Sequence, residues 1–121
     1  MIDHIGINVS DVAKSKAFYQ AALAPLGYTT RMEFPEGAGF GDERAVFWIL
    51  ARPPVTTSAH VAFSAATRQV VRDFHAAALR AGGKDNGGPG VREHYSPSYY
   101  GAFVLDPDGN NVEVVCLAPE K

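Results

Sequence analysis

The sequence has few of the features that mark several large classes of protein. One cysteine among 121 residues allows no disulfide within the chain, which excludes a disulfide-stapled scaffold. The net charge is only −2, so no basic surface for nucleic acid is expected. The longest unbroken apolar run, Ala45–Ala51, is too short to cross a bilayer.

The remaining composition is that of an ordinary globular protein. Hydrophobic residues make up 46% of the chain and charged residues 20%. Asp3 and His4 interrupt any apolar stretch that would suggest a secretion signal. Cys116 is flanked by apolar residues and is expected to be a buried, unreactive thiol. We therefore expect one cytoplasmic domain over residues 1–121 that binds neither nucleic acid nor membranes.

The chain contains an internal repeat. Residues 3–28 align with residues 59–84 without gaps, at an offset of 56 positions. The alignment pairs His4 with His60, Phe18 with Phe74 and Gly27 with Gly83. Because these residues match in the order of their structural roles, we divide the chain into two copies of one unit, at about 1–52 and 58–118. Residues 53–58, which begin with two prolines, are interpreted as the linker.

Each copy predicts one strand, one helix and three further strands. The first helix is expected to begin at Ser10 or Asp11 and to end near Leu23, and the second to run from a Thr67 cap to about Arg80. The predicted strands are Ile2–Val9, Tyr28–Glu33, Gly39–Gly41, Ala45–Ala51, His60–Ala65, Gly83–Asn86, Tyr99–Leu105 and Asn111–Leu117. The sequence therefore predicts an α+β fold of two tandem βαβββ modules, with a tight turn at Asp106–Asn110.

The alternation of side chains along the strands predicts a metal site. His4 and His60 fall on the side of their strands that faces away from the helices, and Glu113 falls on that same side of the last strand. Two imidazoles and one carboxylate suit a borderline divalent metal with open coordination positions. Any one of these residues alone would more often be an ordinary strand residue, but the repeat pairs the two histidines. His75 and His94 have no histidine partner in the repeat and are not expected to be ligands.

Three segments give the chain a resemblance to a known family. They are the runs HIGINV from His4, HVAFS from His60 and FVLDPDGNNVE from Phe103 to Glu113. Together these segments resemble the vicinal oxygen chelate superfamily, which includes glyoxalase I, fosfomycin-resistance transferases, extradiol dioxygenases and bleomycin-binding proteins. The resemblance covers essentially the whole chain, and its most specific part is the DPDGN turn followed by a glutamate.

The resemblance implies a fold, a metal and an oligomeric state. In that family the paired modules form a cupped mixed β-sheet with the helices on its outer face, and the cup surrounds one divalent metal ion. We accordingly expect His4, His60 and Glu113 to bind Zn, Fe, Mn, Ni or Co, with Glu113 also catalytic. Most members dimerise, so a homodimer is expected.

The sequence also departs from the family. Glyoxalase I enzymes usually supply a fourth ligand, a glutamate on the strand that ends the first module, and our alignment puts Trp48 at that position. Tryptophan cannot bind the metal, which argues against an authentic glyoxalase I. Fosfomycin transferases carry a tyrosine where we align Phe103. Bleomycin binders lack the metal triad altogether.

Several residues near the predicted cup are candidates for contacting a substrate. Trp48 is predicted to form a flat apolar wall, with a core position as the open alternative. Arg92 and one of three tyrosines are predicted to orient an oxygenated ligand, and exposed loop aromatics are the alternative. The tyrosines are Tyr95, Tyr99 and Tyr100.

The sequence thus favours a metal-dependent, glyoxalase-like lyase or isomerase that acts on a small oxygenated metabolite. An extradiol-type dioxygenase is the second interpretation. A non-catalytic small-molecule or antibiotic binder of the bleomycin-resistance type is the third.

Overall fold

A computed structural model describes residues 1–119, so the last two residues of the predicted domain lie outside the described part. The first module comprises β1 (Ile5–Asn8), α1 (Val12–Leu23), β2 (Thr29–Phe34), β3 (Gly37–Gly41) and β4 (Phe47–Leu50). The second comprises β5 (His60–Ser64), α2 (Arg68–Arg80), β6 (Lys84–Val91), β7 (Tyr100–Leu105) and β8 (Asn111–Cys116). The predicted α+β fold of two βαβββ modules is confirmed.

Both helices begin at the predicted caps. The Asp11 side chain accepts a hydrogen bond from the backbone N–H of Lys14 at 3.0 Å, and the Thr67 hydroxyl accepts one from Val70 at 3.3 Å. A short 3₁₀ turn extends the first helix as far as Gly27. The φ of Gly27 is 82°, a left-handed conformation that glycine adopts readily because it has no Cβ. The boundaries follow from local chemistry, which explains why the sequence predicts them well.

The eight strands form two mixed four-stranded sheets, which we call the first sheet (order β1-β4-β3-β2) and the second sheet (order β5-β8-β7-β6). In each sheet the first strand of the module pairs in parallel with its last strand, and the other pairs are antiparallel. Strand β6 is longer than the predicted Gly83–Asn86 segment and has two irregularities in register. Its glycine-rich sequence lacks the β-branched residues that predict a strand, so its length depends on its pairing with β7.

The two modules share one hydrophobic core. The ring of Phe47 on the first sheet meets that of Phe63 on β5 edge-on, with centroids 5.4 Å apart. Phe18 of α1 and Val104 of β7 both lie against Gly83, so the first helix reaches the second sheet. The sides of the sheets that carry the helices therefore face a common core. Their other sides lie outside this core.

A buried hydrogen bond also joins the modules. The Tyr19 hydroxyl on α1 donates to Asp106 Oδ2 at 2.5 Å, in the predicted turn between β7 and β8. Burial, together with the neighbouring carboxylate of Asp106, raises the pKa of Tyr19. In the same turn the side-chain amide of Asn110 donates a hydrogen bond to Asp106 Oδ2 at 3.0 Å. Gly109 has a φ of 89°, which lets the chain reverse direction there.

No helix within residues 1–119 combines the length and apolar character that a membrane crossing requires. Cys116 is a buried free cysteine, as predicted.

Candidate metal centre

Glu113 is a buried carboxylate on the outward side of the second sheet. It is 1% exposed, and its strand neighbours Val112 and Val114 belong to the shared core on the opposite side. An unpaired buried charge would be costly, so its partners matter. His60 Nε2 lies 2.7 Å from Glu113 Oε1, and the Tyr99 hydroxyl donates to Glu113 Oε2. Both carboxylate oxygens are thus engaged.

The sheet register explains why His60 meets Glu113. Strand β5 pairs with β8 so that Ala62 lies opposite Glu113, and His60 is therefore diagonal to it on the same side of the sheet. The imidazole stays 55% exposed, and its ring centroid lies 6.3 Å from that of Phe103. An imidazole and a carboxylate, open to one side, are donors suited to a divalent metal.

His4 has a different set of neighbours. Its Nδ1 lies 2.8 Å from Asp3 Oδ1, and Arg44 binds the same carboxylate at 3.1 and 3.2 Å. The hydrogen bond from His4, and then Arg44, hold the pKa of Asp3 below its usual range. An ionised carboxylate beside Nδ1 favours a proton on that nitrogen. The lone pair of Nε2 is then the one that could bind a metal.

The structure brings together two of the three predicted ligands. Among residues 1–119, no three His, Cys, Asp or Glu side chains lie close enough together to hold a metal ion. His4 and His60 border one open groove of about 460 Å³ at the ends of β1 and β5, but Glu113 does not line it. The predicted triad is therefore chemically suited to a metal but is not assembled within one described chain. His4 lies beside Trp48 of the first sheet, whereas Glu113 lies on β8 of the second sheet.

Trp48 lies on the outward side of the first sheet, beside His4. The two side chains line a cavity of about 480 Å³ together with Gly6, Arg44 and others. A Cβ on Gly39 would come within 2.8 Å of the indole ring, so glycine is what lets the ring lie over β3. Trp48 is only partly buried, which agrees with the predicted wall better than with a core position.

The four other predicted substrate contacts divide between the two sides of the second sheet. Arg92 lies over the Phe103 ring at 5.3 Å, and its guanidinium donates to the carbonyls of Gly88 and Gly90. Tyr95 is 60% exposed, and its ring centroid lies 4.8 Å from that of Tyr99. Arg92 and Tyr95 line a cavity of about 350 Å³ on the outward side.

Tyr100 contacts the second helix. Its ring lies under Arg68 at 4.8 Å, and its hydroxyl accepts a hydrogen bond from Arg72 at 3.2 Å. Both arginines belong to α2, so Tyr100 faces the helix side of the second sheet rather than Glu113. Consecutive strand residues point to opposite sides, so Tyr99 and Tyr100 lie on different sides of the sheet. That Tyr100 contacts a substrate stays a prediction.

One feature of this site was not predicted. Tyr99, one of the three tyrosines predicted to orient a ligand, donates a hydrogen bond to Glu113, and its pKa is raised to about 12 by burial and by that hydrogen bond. The alternation Tyr99, Gly101, Phe103 on the side of Glu113 was the available signal. His75 pairs with Asp85 at 2.9 Å, and His94 contacts the Tyr95 ring. That neither histidine is a ligand stays a prediction.

Comparison with known proteins gives the family. The model of the Glyoxalase/Bleomycin resistance protein/Dioxygenase superfamily matches residues 1–114, and the chain belongs to that superfamily. No curated protein matches the chain significantly.

Solved structures agree with the family. A glyoxalase/bleomycin resistance protein from Albidiferax ferrireducens T118 is 27% identical, with a TM-score of 0.80 over 97% of this chain and 98% of that one. A putative glyoxalase from Bacillus halodurans is 24% identical, with a TM-score of 0.73 over 96% and 95%. A lactoylglutathione lyase from Agrobacterium tumefaciens is 17% identical, with a TM-score of 0.71 over 96% and 92%. At these last two identities the likeness shows the fold alone.

Proposed function

We propose that this protein is a metal-dependent, glyoxalase-like enzyme of the lyase or isomerase type that acts on a small oxygenated metabolite. The observation that carries the proposal is the contact between Glu113 and His60, 2.7 Å apart on the outward side of the second sheet. A carboxylate that is 1% exposed on that side, and that is no part of the core, calls for a functional reason.

The donor set fits a divalent metal. His60 and Glu113 would supply one nitrogen and one oxygen, and His4 would supply a second nitrogen through its Nε2. When bound, the metal would act as a Lewis acid that stabilises negative charge on adjacent substrate oxygens, an effect commonly worth several kcal/mol. Its identity among Zn, Fe, Mn, Ni and Co is left open by these donors.

A second copy of the chain would complete the site. His4 and Trp48 line a cavity on the first sheet, whereas Glu113 lies on the second, and no third ligand joins the His60–Glu113 pair within residues 1–119. In a two-fold symmetric dimer, the first sheet of one copy could lie against the second sheet of the other. His4 of each copy would then join His60 and Glu113 of the other copy, which gives two equivalent sites. The proposed enzyme is therefore a homodimer with two sites.

The residues around the site have chemical roles in this proposal. Glu113 would move a proton between neighbouring carbons of the substrate. Trp48 would exclude water from one side of the site, and Arg92 and Tyr95 would bind substrate oxygens. The tryptophan stands where a second carboxylate would assist proton transfer, so the proposed reaction is not that of an efficient glyoxalase I.

Two other functions remain as alternatives. An extradiol-type dioxygenase is favoured by the three-ligand set, because up to three positions of an octahedral metal stay open for substrate and oxygen. A non-catalytic small-molecule binder is favoured by the absence of a complete ligand set within residues 1–119 of one chain.

One experiment separates these functions. Elemental analysis of protein purified without added metal should give about one divalent metal per chain, and a metal-free protein would favour the binder. Turnover is then measured on methylglyoxal–thiol adducts and on catechols. Ring cleavage of a catechol with oxygen uptake would replace the lyase proposal with the dioxygenase.

A further inference from the structure

We propose that Tyr99 is a positioning residue, which holds Oε2 of Glu113 so that Oε1 is presented to the metal together with His60. This inference rests on the proposed function, since it concerns how the same site binds its metal. It differs from the predicted role of Tyr99 as a substrate contact.

The contact between Tyr99 and Glu113 is favoured by the structure around it. The Tyr99 hydroxyl donates to Oε2 and His60 lies on Oε1, so each carboxylate oxygen has its own partner. A hydroxyl on one oxygen disfavours a carboxylate that binds the metal through both oxygens. It also fixes the rotation of the carboxylate group, because the rest of the side chain is buried.

Gly101 provides the space for this contact. A Cβ at that position would lie 3.3 Å from Cε1 of Tyr99 and 3.4 Å from Oε2 of Glu113. A methyl group there would press on the Tyr99 ring, which would have to move by a few tenths of an ångström, so glycine gives the ring its present room beside the carboxylate. This close approach is independent of the hydrogen bond and supports the same assignment.

The backbone and ring of Tyr99 are also held in place. Its carbonyl accepts a hydrogen bond from Arg92 at 2.7 Å, and its N–H donates to Ser96 at 3.2 Å. The Tyr95 ring lies against it with centroids 4.8 Å apart. Tyr99 is thus held at its backbone, ring and hydroxyl. Such a fixed side chain is better suited to orienting Glu113 than to contacting a substrate.

The test is cobalt binding to the metal-free protein, followed by visible absorption, for wild type, Tyr99→Phe and Tyr100→Phe. Loss of a hydrogen bond to a metal-ligating group typically weakens metal binding by roughly 10–100-fold. We expect a loss of that size for Tyr99→Phe. Tyr100→Phe removes the neighbouring hydroxyl, which faces α2, and should bind cobalt as the wild type does.

Gly101→Ala is the second variant, because it keeps the hydroxyl and displaces the ring. It should also weaken cobalt binding, and it decides the matter if Tyr99→Phe does not fold. Equal cobalt affinity in wild type and in the folded variants would overturn the inference and leave the proposed function standing. A wild type that binds no cobalt would overturn the proposed function and this inference with it.

Discussion

The two modules share one scaffold but carry different residues at equivalent positions. In the first module Gly6 of β1 lies opposite Trp48 of β4, and in the second Ala62 of β5 lies opposite Glu113 of β8. Gly6 and Ala62 are themselves repeat partners at the offset of 56 positions. Trp48 therefore stands in the first module where Glu113 stands in the second.

The neighbours of these two residues differ accordingly. Trp48 lies beside Gly39 on β3, which leaves room for the indole, whereas Glu113 lies beside Phe103 on β7. The first sheet thus presents an apolar wall next to His4. The second presents a carboxylate held by His60 and Tyr99. The two modules therefore keep the same strand register, although the residue at this position, and with it the chemistry, differs between them.

The largest expected effect comes from removing the carboxylate. Glu113→Gln should abolish stoichiometric metal binding while the fold stays intact, because the amide keeps the shape of the side chain but not its charge. Metal content per chain is measured by elemental analysis, with Trp48→Phe as the matched variant from the other module. Full metal content in Glu113→Gln would remove Glu113 from the ligand set. A metal-free variant that no longer folds would assign the site a structural role.

The next prediction concerns the outward surfaces of the two sheets. Neither His4→Ala nor His60→Ala should bind metal stoichiometrically, but a heterodimer of the two should recover one intact site. The reason is that one site of the pair would receive His4 from one copy and His60 with Glu113 from the other. Differently tagged chains are mixed, purified through both tags and analysed for metal.

Light scattering on the wild type is the control, and a mass of twice the 13.0 kDa chain is expected. A heterodimer without metal would mean that each site lies within one chain. A monomer at micromolar concentration would refute the dimer itself.

A smaller change tests the difference between Trp48 and Glu113 directly. Trp48→Glu should raise turnover of the hemithioacetal of methylglyoxal and glutathione, since it restores a carboxylate at the position equivalent to Glu113. The wild type should remain below about 10 s⁻¹, the median for enzymes. Trp48→Gln is the matched control and should show no gain. Wild-type turnover at or above that rate would contradict the argument from Trp48.

The smallest effect concerns stability at another pair of repeat positions. Tyr19 and His75 are equivalent at the offset of 56, but Tyr19 binds the buried Asp106 and His75 binds the exposed Asp85. Tyr19→Phe should lower the free energy of unfolding by about 2 kcal/mol, because a buried carboxylate loses a donor. His75→Gln should lower it less, since Asp85 stays hydrated. Urea denaturation measures both, and an equal loss in the two variants would contradict the comparison.

Much of the fold was predictable because it depends on neighbours along the chain. The helix caps at Asp11 and Thr67 satisfy N–H groups three residues away, so the sequence alone locates them. Strand β6 was predicted too short, since its glycine-rich sequence carries no strand signal of its own and its pairing with β7 defines it.

The sequence by itself determined the duplicated βαβββ unit, the family resemblance and the side of each strand on which His4, His60 and Glu113 lie. These follow from the repeat and from alternation along a strand, which are local properties. Only the tertiary structure decided that Tyr99 binds Glu113 and that His4 lies apart from the His60–Glu113 pair. The first depends on how β7 pairs with β8 and the second on how the two sheets pack against a common core, and neither pairing is set by the periodicity of a single segment.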